Sequence, residues 1–356
     1  MTHLPHADAG GAGLRRPPGA DHAGAAPTPV QHMVRRRSFV VRNARLLLAW
    51  LLLAALLLIY VREAPRFGPR EQRTIANSGM TLAIAGLGQT VVVITGGIDL
   101  STGPMIGLTN SVASEITRKD NPNGSMAIAA VVVLLIGALG GLINGLLVAY
   151  GRLQPIIVTL ATSSIYGGVA LYIRPNPGGF IPRTFTELLT GMAYGRRVPK
   201  ALFLLLGLAL LWLLFRRTSL ATTIFAIGSS EGAAYMSGVN VNRTKVLAYT
   251  MAGIAAACAG LFASAQTATG NALAGNVYTL NSIAAVVLGG TSLAGGAGSY
   301  LGTIAGAYAI AIIPTVLFFY GVSTFYQQLF QGSILLAAVS LGALSIFRIR
   351  NRLERL

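Results

Sequence analysis

The sequence predicts an all-α integral membrane protein, a polytopic bundle of about ten transmembrane helices with one or two of them broken or re-entrant, and three observations carry that prediction. Only 10% of the 356 residues are charged and 53% are hydrophobic, against roughly 25% charged residues in soluble domains. Apolar runs long enough for a hydrocarbon core about 30 Å thick recur along the chain. Many of the 43 glycines fall inside those runs, where small residues let helix backbones approach closely in lipid. The formal net charge of +17 does not indicate a nucleic-acid partner, because Lys and Arg lie between the apolar runs and at the two ends instead of along one face. The lone Cys258 can form no intrachain disulfide and reads as a small packing residue.

Taken in order, residues 1–44 are rich in Gly, Ala, Pro and His and read as a disordered, basic tail that lacks the apolar content for a core. Residues 45–347 form the membrane domain, with spans expected at 46–61, 75–95, 102–117, 126–150, 155–173, 201–215, 246–267, 281–294, 299–320 and 327–347. Residues 348–356 are a short basic tail. The first span starts too far into the chain for an ordinary signal peptide and is expected to remain as an anchor. An even count puts both termini on one side. With both inside the cytoplasm, 16 of the 27 Lys and Arg residues fall inside as well, which sets the orientation by the positive-inside rule. The majority is small because Arg62, Arg66, Arg70 and Arg73 fall outside. Glu63 and Glu71 offset two of them, and that segment is expected to lie along the interface.

In the fourth span Gly137, Gly141 and Gly145 recur every four residues, a spacing that favours close helix packing over a ligand role. The stretch Thr95-Gly96-Gly97 through Asp99, Ser101, Gly103 and Pro104 is costly to an unbroken helix, so a break or reversal is expected around Asp99. Such backbone survives at membrane depth only inside protein or beside a water-filled cavity. Pro104 suits the first turn of a new helix with Ser101 or Thr102 as its N-cap, and Asp99 then precedes a positive helix end. Two readings stand: a turn whose acidic residue stabilises a helix start, or a functional carboxylate near a pathway or gate. Residues 286–296, VVLGGTSLAGG, echo residues 92–103, VVITGGIDLSTG, which points either to a second helix broken at matching depth or to chance likeness among Gly-rich spans.

The most polar interior segment, residues 216–245, offers a short helix over Glu231, Gly232, Ala233, Ala234 and Met236. Ser229 or Ser230 caps it, and Ser237 with Gly238 stops it. At about two turns, or about 10 Å, it reads either as a connecting loop or as a helix that fits a groove in a partner.

Four motifs in order, TGGIDLSTG (95–103), QPIIVTLAT (154–162), AIGSSEGAAYMSGVNV (226–241) and AAVVLGGTSLAGGAGSYLGT (284–303), resemble the permease subunits of ribose-type ABC sugar importers. The resemblance runs from about residue 40 to the C-terminus. It implies the helical importer fold shared with vitamin B12 permeases (type II) and a bacterial inner-membrane location with both ends cytoplasmic. The implied partners are a second permease copy, a cytoplasmic ABC ATPase, a periplasmic sugar-binding protein and the surrounding membrane lipid. It also implies that Ser230 to Gly238 form the coupling helix, with Ser229-Ser230 standing where a Gly-Asn pair is common. The implied cargo is a monosaccharide or related polyol.

The residues themselves agree with a transporter subunit that is not an enzyme. There is no G-x-x-x-x-G-K-[ST] loop, and all four His residues lie in the tail, so no cofactor and no metal is expected. A neutral polyhydroxy substrate needs hydrogen-bonding groups without a fixed counter-charge. The polar residues inside apolar spans are Asn110, Asn144, Thr159, Thr162, Ser163, Asn281 and Ser282, each of which also fits a helix-packing hydrogen bond. The rival class is a proton- or cation-coupled secondary transporter using Asp99.

Overall fold

The computed structural model describes residues 29–64, 67–195 and 197–327 and a few positions up to 336, with side chains from residue 46 onward. The first helix, α1 (Pro29–Glu63), begins well before the expected start at residue 46. Proline suits a first helical position and Met, Arg and Gln are good helix formers, so the basic stretch from Pro29 is helical in the structure. The expected tail over residues 1–28 and the basic tail over 348–356 lie outside the described residues.

From Asn43 onward the chain forms one compact unit. After α1 come α2 (Pro69–Ser78) and α3 (Met80–Ile94), which together make one apolar stretch of 26 residues. Then follow α4 (Thr102–Ile116), α5 (Pro122–Ala149), α6 (Pro155–Ile173) and the short α7 (Arg183–Thr190). A two-residue hairpin of β1 (Met192–Ala193) and β2 (Val198–Pro199) pairs antiparallel, with Met192 opposite Pro199. The rest is helical again: α8 (Lys200–Phe215), α9 (Ser219–Ser229), α10 (Glu231–Met236), α11 (Val241–Thr267), α12 (Asn276–Leu288) and α13 (Tyr300–Phe319).

Six of the described helices are long and apolar enough to cross a membrane, or seven if α8 and α9, which meet at 76°, form one broken span. The expected count of about ten transmembrane helices, one or two of them broken, is not confirmed by these helices. The expected spans at 102–117 and 281–294 are α4, with 15 residues, and α12, with 13. At 1.5 Å per residue α12 is only about 20 Å long. The turn that leads into α4 is largely buried at Asp99, Ser101 and Thr102, the condition under which non-helical backbone survives at membrane depth. The expected span at 327–347 lies mostly outside the described residues.

The small-residue spacing in α5 does what it predicts. A Cβ at Gly141 or Gly137 would strike the backbone of α11, and Gly253 of α11 lies against the Gly137 carbonyl. Backbone thus meets backbone along most of the α5–α11 contact, which larger residues would hold apart. The most buried elements are α3 and α4, whereas α5, α6 and α8 turn outward Leu135, Leu139, Ile157, Leu206 and similar side chains. The last residues of α3, α5 and α12 and the first of α6, α11 and α13 lie at the same end of the bundle as α10.

Candidate functional site

The break expected around Asp99 is present. Helix α3 ends at Ile94, and Gly96 takes φ 84°, the left-handed conformation that glycine adopts most readily just past a helix end. The Thr95 hydroxyl donates to the Val92 carbonyl at 2.7 Å and closes the last turn. Asp99 is only 2% exposed. Its Oδ1 accepts the Ser101 backbone N–H at 2.8 Å and the Ser101 hydroxyl at 2.6 Å. Asn144 of α5 donates its Nδ2 to Ser101 Oγ at 2.8 Å. Thr102 donates to Gln89 Oε1 of α3 at 3.3 Å, and Thr159 of α6 donates to the Ile98 carbonyl at 3.2 Å.

The cap differs from the expectation. Ser101 occupies the N-cap position of α4 but makes no side-chain bond to that helix. Its hydroxyl serves Asp99 instead, so the turn is closed by the carboxylate and Pro104 follows in the first helical turn. Tyr249 of α11 presses its hydroxyl against Gly97, where any Cβ would overlap it. Three polar atoms around this turn, Gln89 Nε2, Asn144 Oδ1 and the Tyr249 hydroxyl, are buried and have no partner. A buried polar group without a partner costs about 1–3 kcal/mol, so this turn holds unused hydrogen-bonding capacity.

The echo at residues 286–296 is a second break on the same face. Helix α12 ends at Leu288, and Gly290, Gly295 and Gly296 all take positive φ, at 88°, 86° and 70°. The two breaks touch: the Gly296 N–H donates to the Ile94 carbonyl at 2.9 Å. The end of α9 is wedged between them. A Cβ at Gly228 would overlap both the Ile94 carbonyl oxygen and the Gly296 nitrogen, and one at Gly295 would lie 2.9 Å from the Gly228 oxygen and 3.0 Å from the Gly96 nitrogen. Two glycine turns and the joint between α9 and α10 therefore form one backbone-to-backbone junction.

Helix α10 leaves that junction directly. Ser230 caps it, accepting the Ala233 N–H at 3.4 Å, and Gly238 stops it at φ 81°. Only Ala234 turns inward, onto Ile227 and Val241. Glu231, Gly232, Ala233, Tyr235, Met236 and Ser237 are exposed. Glu231 pairs with Lys245 of α11 at 2.8 Å. Beside them a groove of about 560 Å³ runs between α10 and the turn from α5 to α6, reaching Arg152 and Pro155.

The polar residues proposed for a pathway do not converge on one site. Asn144 and Thr159 belong to the Asp99 turn. Asn110 lies toward the opposite face: its Nδ2 donates to Ser264 Oγ at 2.7 Å and to the Thr269 carbonyl at 3.2 Å, and its Oδ1 accepts the Asn271 N–H at 2.5 Å. It thereby pins the non-helical residues 268–275 along α4 as far as Gly103, which packs on Gly275. Thr162 bonds its own helix at Val158 and Thr159, Ser282 bonds Thr279, and Ser163 and Asn281 are half-buried. Gln89, Gly228 and Tyr249 escape the sequence reading because each is an ordinary residue within its own helix; only their neighbours single them out.

A helical bundle with six or seven helices of membrane-crossing length among the described residues, and with broken helices meeting under a short exposed helix, is the architecture of a polytopic membrane protein. The comparisons name the family. Residues 73–339 match the family described as branched-chain amino acid transport system / permease component. The ribose import permease protein RbsC of Escherichia coli (strain K12) is 38% identical over 265 residues, covering 72% of this chain and 80% of that one. The ribose import permease of Bacillus subtilis (strain 168) is 38% identical over 277 residues, 76% of this chain and 85% of the relative. The galactose/methyl galactoside import permease protein MglC of E. coli (strain K12) is 32% identical over 319 residues, 84% and 94% of the two chains. No solved structure matches. The chain belongs to this permease family, as a ribose-type ABC sugar-importer permease of the inner membrane. Permeases of this kind work with an ATPase and a binding protein and are not themselves enzymes.

Proposed function

We propose that this chain is the membrane-spanning subunit of an ABC importer for a monosaccharide or related polyol, of the size class named for its ribose and galactose relatives. Two permease copies, each docking a separate cytoplasmic ATPase through α10, provide the pathway, and a periplasmic sugar-binding protein delivers the cargo to the far face. Both termini are cytoplasmic. The observation that carries the proposal is the junction at Gly228: the capped, outward-facing helix α10 is joined without a spacer to the point where both glycine turns meet. Close packing of this kind favours discrete rearrangements over continuous deformation. Motion of α10 reaches α3 through the Ile94 carbonyl and α12 through Gly296. Asp99 acts in this reading as the hydrogen-bonded closure of the first turn and carries no ion.

The test is reconstituted uptake with the cognate ATPase and binding protein. Glu231→Lys combined with Ala233→Trp alters only outward-facing positions, so the protein folds and ATP hydrolysis no longer drives uptake. Normal coupled uptake in that variant removes the docking role of α10. Uptake abolished by a protonophore with no ATPase present establishes a cation-coupled transporter instead.

A further inference from the structure

A lateral groove of about 520 Å³ opens between α1, α2, the β hairpin with α8, and α13. Its walls are hydrocarbon: Leu53, Leu57 and Val61 of α1, Leu202 of α8 and Ile304 of α13 line it. The Tyr308 hydroxyl at its wall is already spent on the Ala76 carbonyl at 2.7 Å. Among the described residues Arg197 is the one charged side chain in its lining, which also includes Gln72, Phe67 and, toward the start of α1, the Trp50 indole. The Arg197 end lies at the level of the helix termini, since α1 ends at Glu63 and α2 begins at Pro69. Arg197 is exposed and takes no part in the two ion pairs found among the described residues. The groove continues into outward-facing apolar surface on both flanks, Leu58 of α1 and Leu206 of α8.

We propose that this groove holds one acyl chain of a phospholipid whose phosphate sits on Arg197. Along α1 the groove runs from Trp50 to Val61, about 16 Å at 1.5 Å per residue, which suits a fatty acyl chain lying along the helix. An α-helix with side chains is about 10–12 Å across, so one of that length would need about three times the space available. An extended peptide would leave its N–H and C=O groups unpaired against hydrocarbon. A lipid has the matching polarity: a featureless chain for the apolar wall and an anion for the single cationic end, where a planar guanidinium grips phosphate by paired hydrogen bonds.

The experiment is native mass spectrometry of the full chain after delipidation, with phosphatidylglycerol or phosphatidylcholine titrated back. Wild type is expected to retain one phospholipid. Val61→Trp fills the groove from an outward-facing position and is expected to lower retention at least about tenfold, because each buried methylene carries about 0.8 kcal/mol. Leu58→Trp, on the same helix but outside the groove, is expected to bind as wild type. Arg197→Ala is expected to keep the chain but lose several-fold preference for the anionic lipid. Equal retention in Val61→Trp and wild type overturns the proposal, as does a groove closed by a second copy of the chain with no phospholipid bound.

Discussion

The two helix breaks are alike in sequence and opposite in construction. The first, Thr95 to Ser101, is held by side chains: Asp99, Ser101, Thr102 and Thr159 bond across it and three further polar atoms stand ready beside it. The second, Gly289 to Ser299, is held by backbone, with three left-handed glycines and a main-chain bond to Ile94, and its one buried hydroxyl, on Thr291, makes no bond. A turn held by polar side chains can exchange partners at small cost, because each bond is replaced by another of similar strength. A turn held by backbone contact has no such alternative and moves as a rigid piece. The first break is therefore the adjustable half of the junction and the second its fixed half.

Substitutions test this contrast, and the largest effect is expected on the rigid side. Gly228→Val places a side chain where the Ile94 oxygen and Gly296 nitrogen already lie, a strain of about 1–3 kcal/mol or more. Uptake is expected to fall to background, with a lowered unfolding temperature in detergent. Gly232→Val, in α10 with nothing near its Cβ direction, should leave stability unchanged; equal loss in both variants would break the contrast.

On the adjustable side, Asp99→Ala removes the acceptor of two bonds and leaves the buried Ser101 N–H unpaired, expected to cost about 1–3 kcal/mol. Asp99→Asn retains an acceptor oxygen and is expected to recover much of that stability, read by thermal unfolding and uptake rate together. If Asn behaves as badly as Ala, the charge itself matters and the turn is more than a hydrogen-bonded closure. Asn144→Ala loses one interhelical bond to Ser101, expected to cost about 0.6 kcal/mol and at most about 1.7. The smallest effect belongs to Lys245→Ala: its Glu231 partner is 57% exposed, so unfolding should shift by up to about 1 kcal/mol, and coupling of ATP hydrolysis to uptake is the more informative readout.

Much of this was legible in the chain. Gly96, Gly97 and Pro104 mark the first break because glycine and proline act locally, through allowed backbone angles and a missing N–H. Ser230 and Gly238 bracket α10 for the same reason. The recurrence of Gly137, Gly141 and Gly145 announced a close helix contact, though not that α11 would supply it. At α4 and α12 the expected spans hold shorter helices, because hydropathy reports a run of apolar residues and is blind to where the helix inside it stops. The pathway residues were legible only as polar side chains in apolar runs. Asn110 and Asn144 look equivalent in sequence, yet one pins residues 268–275 and the other serves Asp99.

The sequence by itself determined the solvent of this protein, its helical class, the places where helices break and the short capped helix, because composition, backbone preference and capping are properties of neighbouring residues. Only the tertiary structure decided that both breaks meet at one point, that Gly228 is wedged there, and that Asp99 bonds Ser101 instead of standing free. Those outcomes depend on which of many chemically similar apolar helices pack together, a choice made by close backbone approach over long sequence separations and written in no local pattern.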